Sequence, residues 1–551
     1  MCRLKIWANW RCPLKRDREG GFPLRSSARH AVSVAALLAC SAMAVYAQSA
    51  DSLASRVEKI MSQPEFAHSN FGVEFYDLES GKVLYSLNSE KLFVPASTTK
   101  LLTEGTLLAK LGPNYRFHTP IYRTGPIDKH GTLKGDLILV ASGDPNLSNR
   151  IRPDGTLAFV DEDHSYQGPA LPGDPLAVIK EFAQQVKAKG IRKIAGDVYV
   201  DASLLPDGAR EGGTNVVMAS IIVNDNVIDL VGKPGAKVGE PVELSISPAT
   251  SYVHFTNGIK TGTAESKLAF DADDPTSNPD GTLTIVLNGN IPLGLKPQTA
   301  AVAVPSPTQF ATVVLREAIA SAGIQIKPKK DQDTVKDFKR FQKFYQPEYQ
   351  VAEHVSPPLS EEIKITLKVS QNLHAGMGPY LLGLLAAKDS KDPLRAGFRV
   401  EHKFLTEAKL DLSGASQGDG AGGDWADLFS PDFICRYLAY WKTRPDFQFL
   451  FNGLPILGKD GTLAKIQVDN PAAGHVFAKT GTFASEDKLN SRLMLNGKGL
   501  AGYIQTKSGK TLAFAAYLNH TALANEPEIS QKVAGQALGG IAAAAYDISL
   551  P

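Results

Sequence analysis

The stretch Pro95 to Phe117, PASTTKLLTEGTLLAKLGPNYRF, decides how this 551-residue chain folds. Leu101, Leu102, Leu107, Leu108 and Leu111 recur at helical spacing up to the stop at Gly112-Pro113. The segment therefore predicts a buried helix with Ser97 in its first turn. Lys100 follows three residues later, one turn along the same face. A serine hydroxyl is a poor nucleophile until a base takes its proton. A lysine so placed can act as that base once a second cation or partial burial has lowered its pKa. Alone the pattern is weak, because Ser485-Glu486-Asp487-Lys488 has the same form.

Two distant elements complete a set. Ser370-Gln371-Asn372 offers a hydroxyl to relay a proton to a leaving group and an amide to bond both a substrate carbonyl and the lysine. Ser86-Leu87-Asn88 imitates it. Lys479-Thr480-Gly481-Thr482 follows the strand-like Val476-Phe477-Ala478. Its lysine is a fixed cation, its hydroxyls can hold a carboxylate, and its glycine lets backbone lie close to an acyl group. Lys260-Thr261-Gly262-Thr263 is an identical tetrapeptide, but it precedes Ser370 and reads as a polar loop beside a strand.

Outward from these elements the texture divides the chain. Leu53 to Ile60 reads as a short amphipathic helix and Gly72 to Leu87 as a hairpin turning at Glu79-Ser80-Gly81-Lys82. Residues 114–304 show short strands punctuated by Gly, Pro and Asp, an inserted β-rich region of two subdomains. A helix returns over Thr308 to Gly323, and Lys327 to Gln350 reads as a surface excursion. Helical texture covers Leu367 to Ala387 and Pro431 to Lys442. Strand texture covers Gly474 to Ala478, Leu500 to Thr506 and Thr511 to Asn519, and a helix closes the chain over about Ile529 to Tyr546. Residues 48–113 and 305–551 thus form one split domain around the insertion.

Eight basic side chains, Arg3 to Arg29, precede the apolar run Ala31 to Val45. Val45 and Ala47 suit a signal-peptidase site, so residues 1–47 read as a cleaved secretory leader. The run is shorter than the ~20 residues needed to cross a bilayer. Leu37-Leu38-Ala39-Cys40 offers a second reading, a lipid on Cys40, although the apolar residues after it make a poor tether. Cys2, Cys12 and Cys40 fall in the leader, leaving Cys435, on an apolar helical stretch, as a core residue. The mature chain then has no internal disulfide and no cysteine-based metal site. The formal charge of +2 owes its sign to the leader, and a nucleic-acid partner is not indicated. A composition of 43% apolar and 21% charged residues excludes disorder, collagen and coiled coil as overall descriptions.

The order Ser97/Lys100, Ser370/Asn372, Lys479/Thr480/Gly481 is that of the penicillin-recognising serine enzymes. Over nearly its whole mature length the chain resembles the low-molecular-mass class C penicillin-binding proteins, D-alanyl-D-alanine carboxypeptidases/endopeptidases of peptidase family S13. The resemblance rests on Pro95 to Phe117, Gly135 to Ser148, Gly196 to Leu205, His354 to Leu373, Leu454 to Leu463, Gly474 to Phe483 and Leu500 to Thr506. It implies an α+β multidomain chain: a penicilloyl-serine transferase domain, with an antiparallel sheet flanked by helices, interrupted by β-rich insertions. The long gap between Ser97 and Ser370 suits that family and leaves a compact β-lactamase no place for the excess.

The resemblance also implies a chemistry. Lys100 deprotonates Ser97, which attacks the penultimate D-alanine carbonyl of a peptidoglycan stem peptide, with backbone N–H groups of Ser97 and Thr482 as oxyanion donors. Ser370 passes a proton to the departing amine and Asn372 holds the acyl-side amide. Lys479 with Thr480 and Thr482 binds the terminal carboxylate or tunes Ser370, and β-lactams acylate Ser97 covalently. Neither metal nor organic cofactor is called for, and the expected location is the periplasm, with no stable membrane span after leader removal.

Three departures from the family stand out. Gln371 and Leu373-His374-Ala375-Gly376-Met377 replace the usual residues around the second motif. Asp419-Gly420-Ala421-Gly422-Gly423 lacks the serines of its DGSGLS-like loop, and Phe483 to Gly499 reads as an insertion after Lys479-Thr480-Gly481. Two alternatives follow: a β-lactamase, or a wall-binding protein that keeps the fold without turnover. Glu486-Asp487-Lys488-Leu489-Asn490 imitates a β-lactamase ExxLN but lies on the wrong side of Lys479. His374 and His475 have no metal-ligand spacing, and Asp144 reads as the residue ending a strand in a turn.

Overall fold

A computed structural model describes residues 52–279, 281–326, 337–525 and 528–548. The predicted leader, its cleavage site and Cys40 lie outside these residues.

Everything that positions the motifs is built on one antiparallel sheet. Its order is Lys82–Leu87, Asn70–Asp77, Thr511–Asn519, Arg492–Gln505, Val476–Asp487, with Thr521–Leu523 pairing onto Arg492–Gln505. The strand TLAFAAYLN shows why such a sheet must be covered twice. Leu512, Phe514, Ala516 and Leu518 point to one face, where they meet Val57, Leu538 and Ile541 of the first and last helices. Ala513, Ala515 and Tyr517 point to the other, against Leu101, Tyr437 and Trp441. Period-two alternation with both sides apolar is what a doubly covered strand requires.

The helix expected after Ser97 spans Lys100–Leu111, entered through a tight turn over Ala96–Thr99, and its residues 100–108 are all buried. Cys435 is fully buried on helix Pro431–Lys442. The terminal helix covers Ala534–Ala543, shorter than its apolar texture suggested.

Inside the insertion, strands Gln350–Val355, His118–Arg123, Leu137–Val140 and Val198–Asp201 form a four-stranded sheet. Helices Ala177–Ala188 and Pro307–Ser321 lie in the same apolar cluster as that sheet, through Phe182, Phe310 and Val314. Residues after position 305 thus pack with the insertion as far as Val355, part of which reads in sequence only as a surface excursion. A second β-rich part is built on Leu283–Pro292 and on Val227–Lys233, and it shares the same continuous cluster.

Three local expectations are corrected. Lys260–Gly262 is a short strand paired with Asn290–Pro292 rather than a loop, with Thr261 buried. Phe483 to Gly499 does not follow the Lys479 strand as a separate piece but extends it: the strand runs on to Asp487, turns, and returns from Arg492, with one register shift at Phe483/Ala484. Helical texture from Leu367 to Ala387 is broken, because Leu359–Lys368 ends and Asn372–Leu381 begins on either side of Ser370. Ser370 has φ +62°, a left-handed conformation that an L-residue adopts at a cost.

Candidate active site

The three motifs meet. Lys100 Nζ lies 2.7 Å from Ser97 Oγ, 3.1 Å from Ser370 Oγ and 2.6 Å from Asn372 Oδ1. Lys479 Nζ lies 2.8 Å from Ser370 Oγ and donates to the Thr480 carbonyl at 2.8 Å. Every one of these placements has a local cause. The turn at Ala96–Thr99 leads directly into the helix that carries Lys100. The left-handed kink at Ser370 swings its hydroxyl out between two helices, and strand alternation aims Lys479 inward. A Cβ on Gly481 would collide with the Pro95 carbonyl oxygen and come within 3.0 Å of Ser97 N, so glycine lets the third motif's backbone touch the nucleophile turn.

Both motif lysines are fully buried. Burial pushes the Lys100 ammonium down to about 8, against the opposing pull of Glu211, Asp419 and Glu104. Burial, then the neighbouring cations Lys100 and Lys498, hold Lys479 well below the ordinary lysine range. Glu104, one helical turn beyond Lys100, is itself buried and pushed well above the carboxylate range by desolvation.

A cleft of about 790 Å³ opens over these groups. Ser97, Ser370, Asn372, Thr480, Gly481 and Thr482 line it together with Asp161, Glu162, Tyr166 and Thr214 of the insertion. No residue of the Lys260 tetrapeptide reaches it. Thr480 Oγ1 donates to Thr462 Oγ1 at 2.8 Å. Lys498, opposite Thr482 in the strand register, donates to Thr482 Oγ1 at 2.6 Å. Sequence reading missed Lys498, although hairpin register with the third motif would have found it.

The serine-poor loop is organised by carboxylates. Asp419 accepts from the backbone N–H groups of Ala421, Gly422 and Gly423 at 2.8, 2.5 and 3.0 Å. Gly422, at φ +91°, lies so close to the Ala96 carbonyl that a side chain there would clash. Asp427 beneath is raised to about 8, by burial and then by Asp419. Trp425, on the same loop, is 70% exposed and meets the Phe483 ring edge-on at 4.9 Å.

Behind the second motif lies a buried ion cluster that the sequence did not reveal. Arg150 Nη2 is 2.6 Å from both Asp163 and Asp225. His164 bridges Asp225 and Asp229 at 2.7 and 2.8 Å, and His374 bridges Asp225 and Glu362 at 2.9 and 2.8 Å. His374, read in sequence as bland, is therefore the centre of a charged contact. Among the described residues Asp163, His164 and Asp225 are close enough to share a metal ion. Arg150 already supplies the cation between those two carboxylates. Asp144 is buried in the turn assigned to it, accepting from Asn146 N at 2.9 Å, with desolvation raising it to about 7.

Comparison with known proteins agrees with this geometry. The model of the D-Ala-D-Ala carboxypeptidase 3 (S13) family matches residues 53–538. A D-alanyl-D-alanine carboxypeptidase from an Actinomadura species is 27% identical, covering 92% of this chain and 89% of that protein. A penicillin-sensitive carboxypeptidase A from Dictyostelium discoideum is 24% identical over 75% of this chain and 76% of its own length. Among solved structures, penicillin binding protein 4 from Haemophilus influenzae superposes with a TM-score of 0.66 at 19% identity, covering 88% of this chain and 97% of that one. The fold is that of the penicilloyl-serine transferases, and the chain belongs to the D-Ala-D-Ala carboxypeptidase 3 (S13) family. It is a serine peptidase, a hydrolase of the penicillin-binding kind.

Proposed function

We propose that this protein is an exported D-alanyl-D-alanine carboxypeptidase/endopeptidase that cleaves peptidoglycan stem peptides through an acyl-enzyme on Ser97. The observation that carries the reading is the convergence of Ser97, Ser370 and Asn372 on one buried lysine amine, within 3.1 Å.

In the cycle, neutral Lys100 accepts the Ser97 proton as Oγ attacks the carbonyl carbon of the penultimate D-alanine. The backbone N–H groups of Ser97 and Thr482 bind the oxyanion, each worth on the order of 3 kcal/mol. Collapse of the tetrahedral intermediate breaks the C–N bond, and the amine leaves with a proton delivered through Ser370 from Lys100. Asn372 aligns the acyl-side amide. Lys479, Thr480 and Thr482, with Lys498 behind Thr482, supply the cationic end of the cleft for a terminal carboxylate. Water then attacks the ester and restores the serine. Free D-alanine as leaving group makes the reaction a carboxypeptidase, and a cross-linking side-chain amine makes it an endopeptidase. A β-lactam presents a strained version of the same amide and acylates Ser97.

Residues 1–47 direct export to the periplasm. No helix among the described residues is long and apolar enough to cross a membrane. The division into a split peptidase domain and an insertion is supported by where residues pack, with the insertion extended to Val355. The test is digestion of purified cross-linked muropeptides: wild type releases D-alanine or resolves cross-links, and Ser97→Ala does neither. Equal release by both proteins would refute the assignment.

A further inference from the structure

We propose that the insertion positions the reactive hydroxyl of Ser370 through Tyr166, Asp163 and Asp225, so that it works as part of the catalytic apparatus. The proposal rests on the reading of Ser370 as the proton relay.

Five consecutive residues, Ser370 to His374, are gripped at three points by side chains from more than 140 positions earlier in the chain. The Tyr166 hydroxyl donates to the Ser370 carbonyl at 2.8 Å. Gln371 accepts from Leu373 N at 2.8 Å, capping the helix that starts at Asn372, while its amide donates to Asp163 at 3.0 Å and to Ser165 Oγ at 3.1 Å. His374 holds Asp225 at 2.9 Å. Asp163 and Asp225 are joined by Arg150, so two of the grips form one buried network, and the half-exposed Tyr166 is tied to it through its backbone N–H to the Asp163 carbonyl.

Backbone conformation gives the network its purpose. Ser370 is left-handed, and a non-glycine residue holds such a conformation only where its surroundings over-determine it. On the insertion side Asn224, Asp225 and Asn226 are left-handed as well, at φ 50°, 51° and 53°. Two left-handed segments face each other across Asp225–His374; Asn224 and Asn226 are fixed by their own side-chain hydrogen bonds to Val227, Val217 and Ile221, so the insertion side is the firm partner against which Ser370 is held. Relaxing Ser370 toward an ordinary φ would carry its Oγ away from Lys100 and Lys479, because the side-chain direction turns with the backbone. An amide at position 371 fits this role. A carboxylate there would face Asp163, whereas an amide both caps the helix and donates to that carboxylate.

The experiment measures benzylpenicillin acylation kinetics on the full chain as wild type, Tyr166→Phe, Gln371→Met and Gln371→Glu. Positioning predicts that the limiting first-order acylation rate falls about tenfold in each variant, the rate equivalent of roughly one hydrogen bond. The half-saturating concentration stays within about twofold in the Gln371 variants, because Gln371 is buried and does not line the cleft. Gln371→Glu adds a pH signature. The introduced carboxyl faces Asp163, Ser165 and Asp225, with Arg150, His164 and His374 beyond. Its rate relative to wild type therefore climbs toward one as pH falls and a protonated acid can donate to Asp163 again. Tyr166→Phe removes one oxygen at the cleft wall and serves if the Gln371 variants do not fold. Wild-type limiting rates in the folded variants, or a lowered melting temperature with unchanged rates, would overturn the proposal. A wild type that forms no adduct removes the proposal together with the function it serves, and the two failures are thereby told apart.

Discussion

Lys479 and Lys100 place their ammonium nitrogens on the same oxygen, Ser370 Oγ, at 2.8 and 3.1 Å. Two buried amines that share one hydroxyl cannot both keep a full charge cheaply, and Lys479, penalised first by burial, is lowered further by the charge on Lys100. Burial is what turns the helix-borne Lys100 into a base near neutral pH.

The first consequence concerns pH. With Lys100 pushed to about 8, the limiting acylation rate should climb close to tenfold per unit below pH 8 and level off above it. Glu211→Gln removes the first of the carboxylates whose pull opposes burial, so the Lys100 pKa falls and the limb moves to lower pH. Stopped-flow acylation from pH 6 to 10 checks both, and a limb that stays fixed contradicts the coupling.

Lys100→Met should abolish acylation, by about 1000-fold or more. It leaves stability unchanged or raises it by about 1–2 kcal/mol, because a fully buried amine is exchanged for an apolar group of similar volume. Denaturant unfolding beside acylation measures the two effects on one sample. A large loss of stability would show that the amine is structural.

The histidine cluster makes stability fall on the alkaline side. His164 and His374 are each raised to about 10, their hydrogen bonds and ion pairs to carboxylates outweighing desolvation. A raised histidine stabilises fully below its unfolded pKa near 6.5, and that contribution is lost as pH rises from there through 10. The free energy of unfolding should therefore decline across this window. His374→Gln should flatten the decline and cost about 3 kcal/mol at pH 6, by leaving Asp225 and Glu362 short of a cation. An unchanged slope in the variant counts against a charged His374.

Gly481→Ala should stop acylation while sparing most of the fold. Its methyl group meets the Pro95 carbonyl where the third motif touches the nucleophile turn, and overpacking of this kind costs about 1–3 kcal/mol. Near-wild-type labelling by a fluorescent penicillin would show that this close approach has no role.

The parts of the site that local spacing determines were legible in sequence. Ser97 and Lys100 are one helical turn apart, and Lys479 to Thr482 continue an apolar strand, so periodicity alone locates them. The left-handed break at Ser370 was not, because apolar residues run through it from Ile363 to Leu384 without a glycine at the kink itself. Tyr166, Arg150, Asp225 and Lys498 were not legible either, since each acts on a segment brought near only by tertiary contact or by strand register. The helix Pro307–Ser321 looked like the return of the first domain because its amphipathic pattern does not say which core its apolar face will join. That Phe483 to Gly499 is a paired hairpin was not legible, because polar residues at its tip interrupt strand periodicity although pairing continues to Asp487.

The most direct test is peptide mapping by mass spectrometry after brief exposure to benzylpenicillin. One penicilloyl group per chain, carried by the peptide that contains Ser97 and persisting over many minutes, is the predicted result. An adduct on Ser370 or Ser485, rapid loss of the group with antibiotic hydrolysis, or no adduct at all would contradict it.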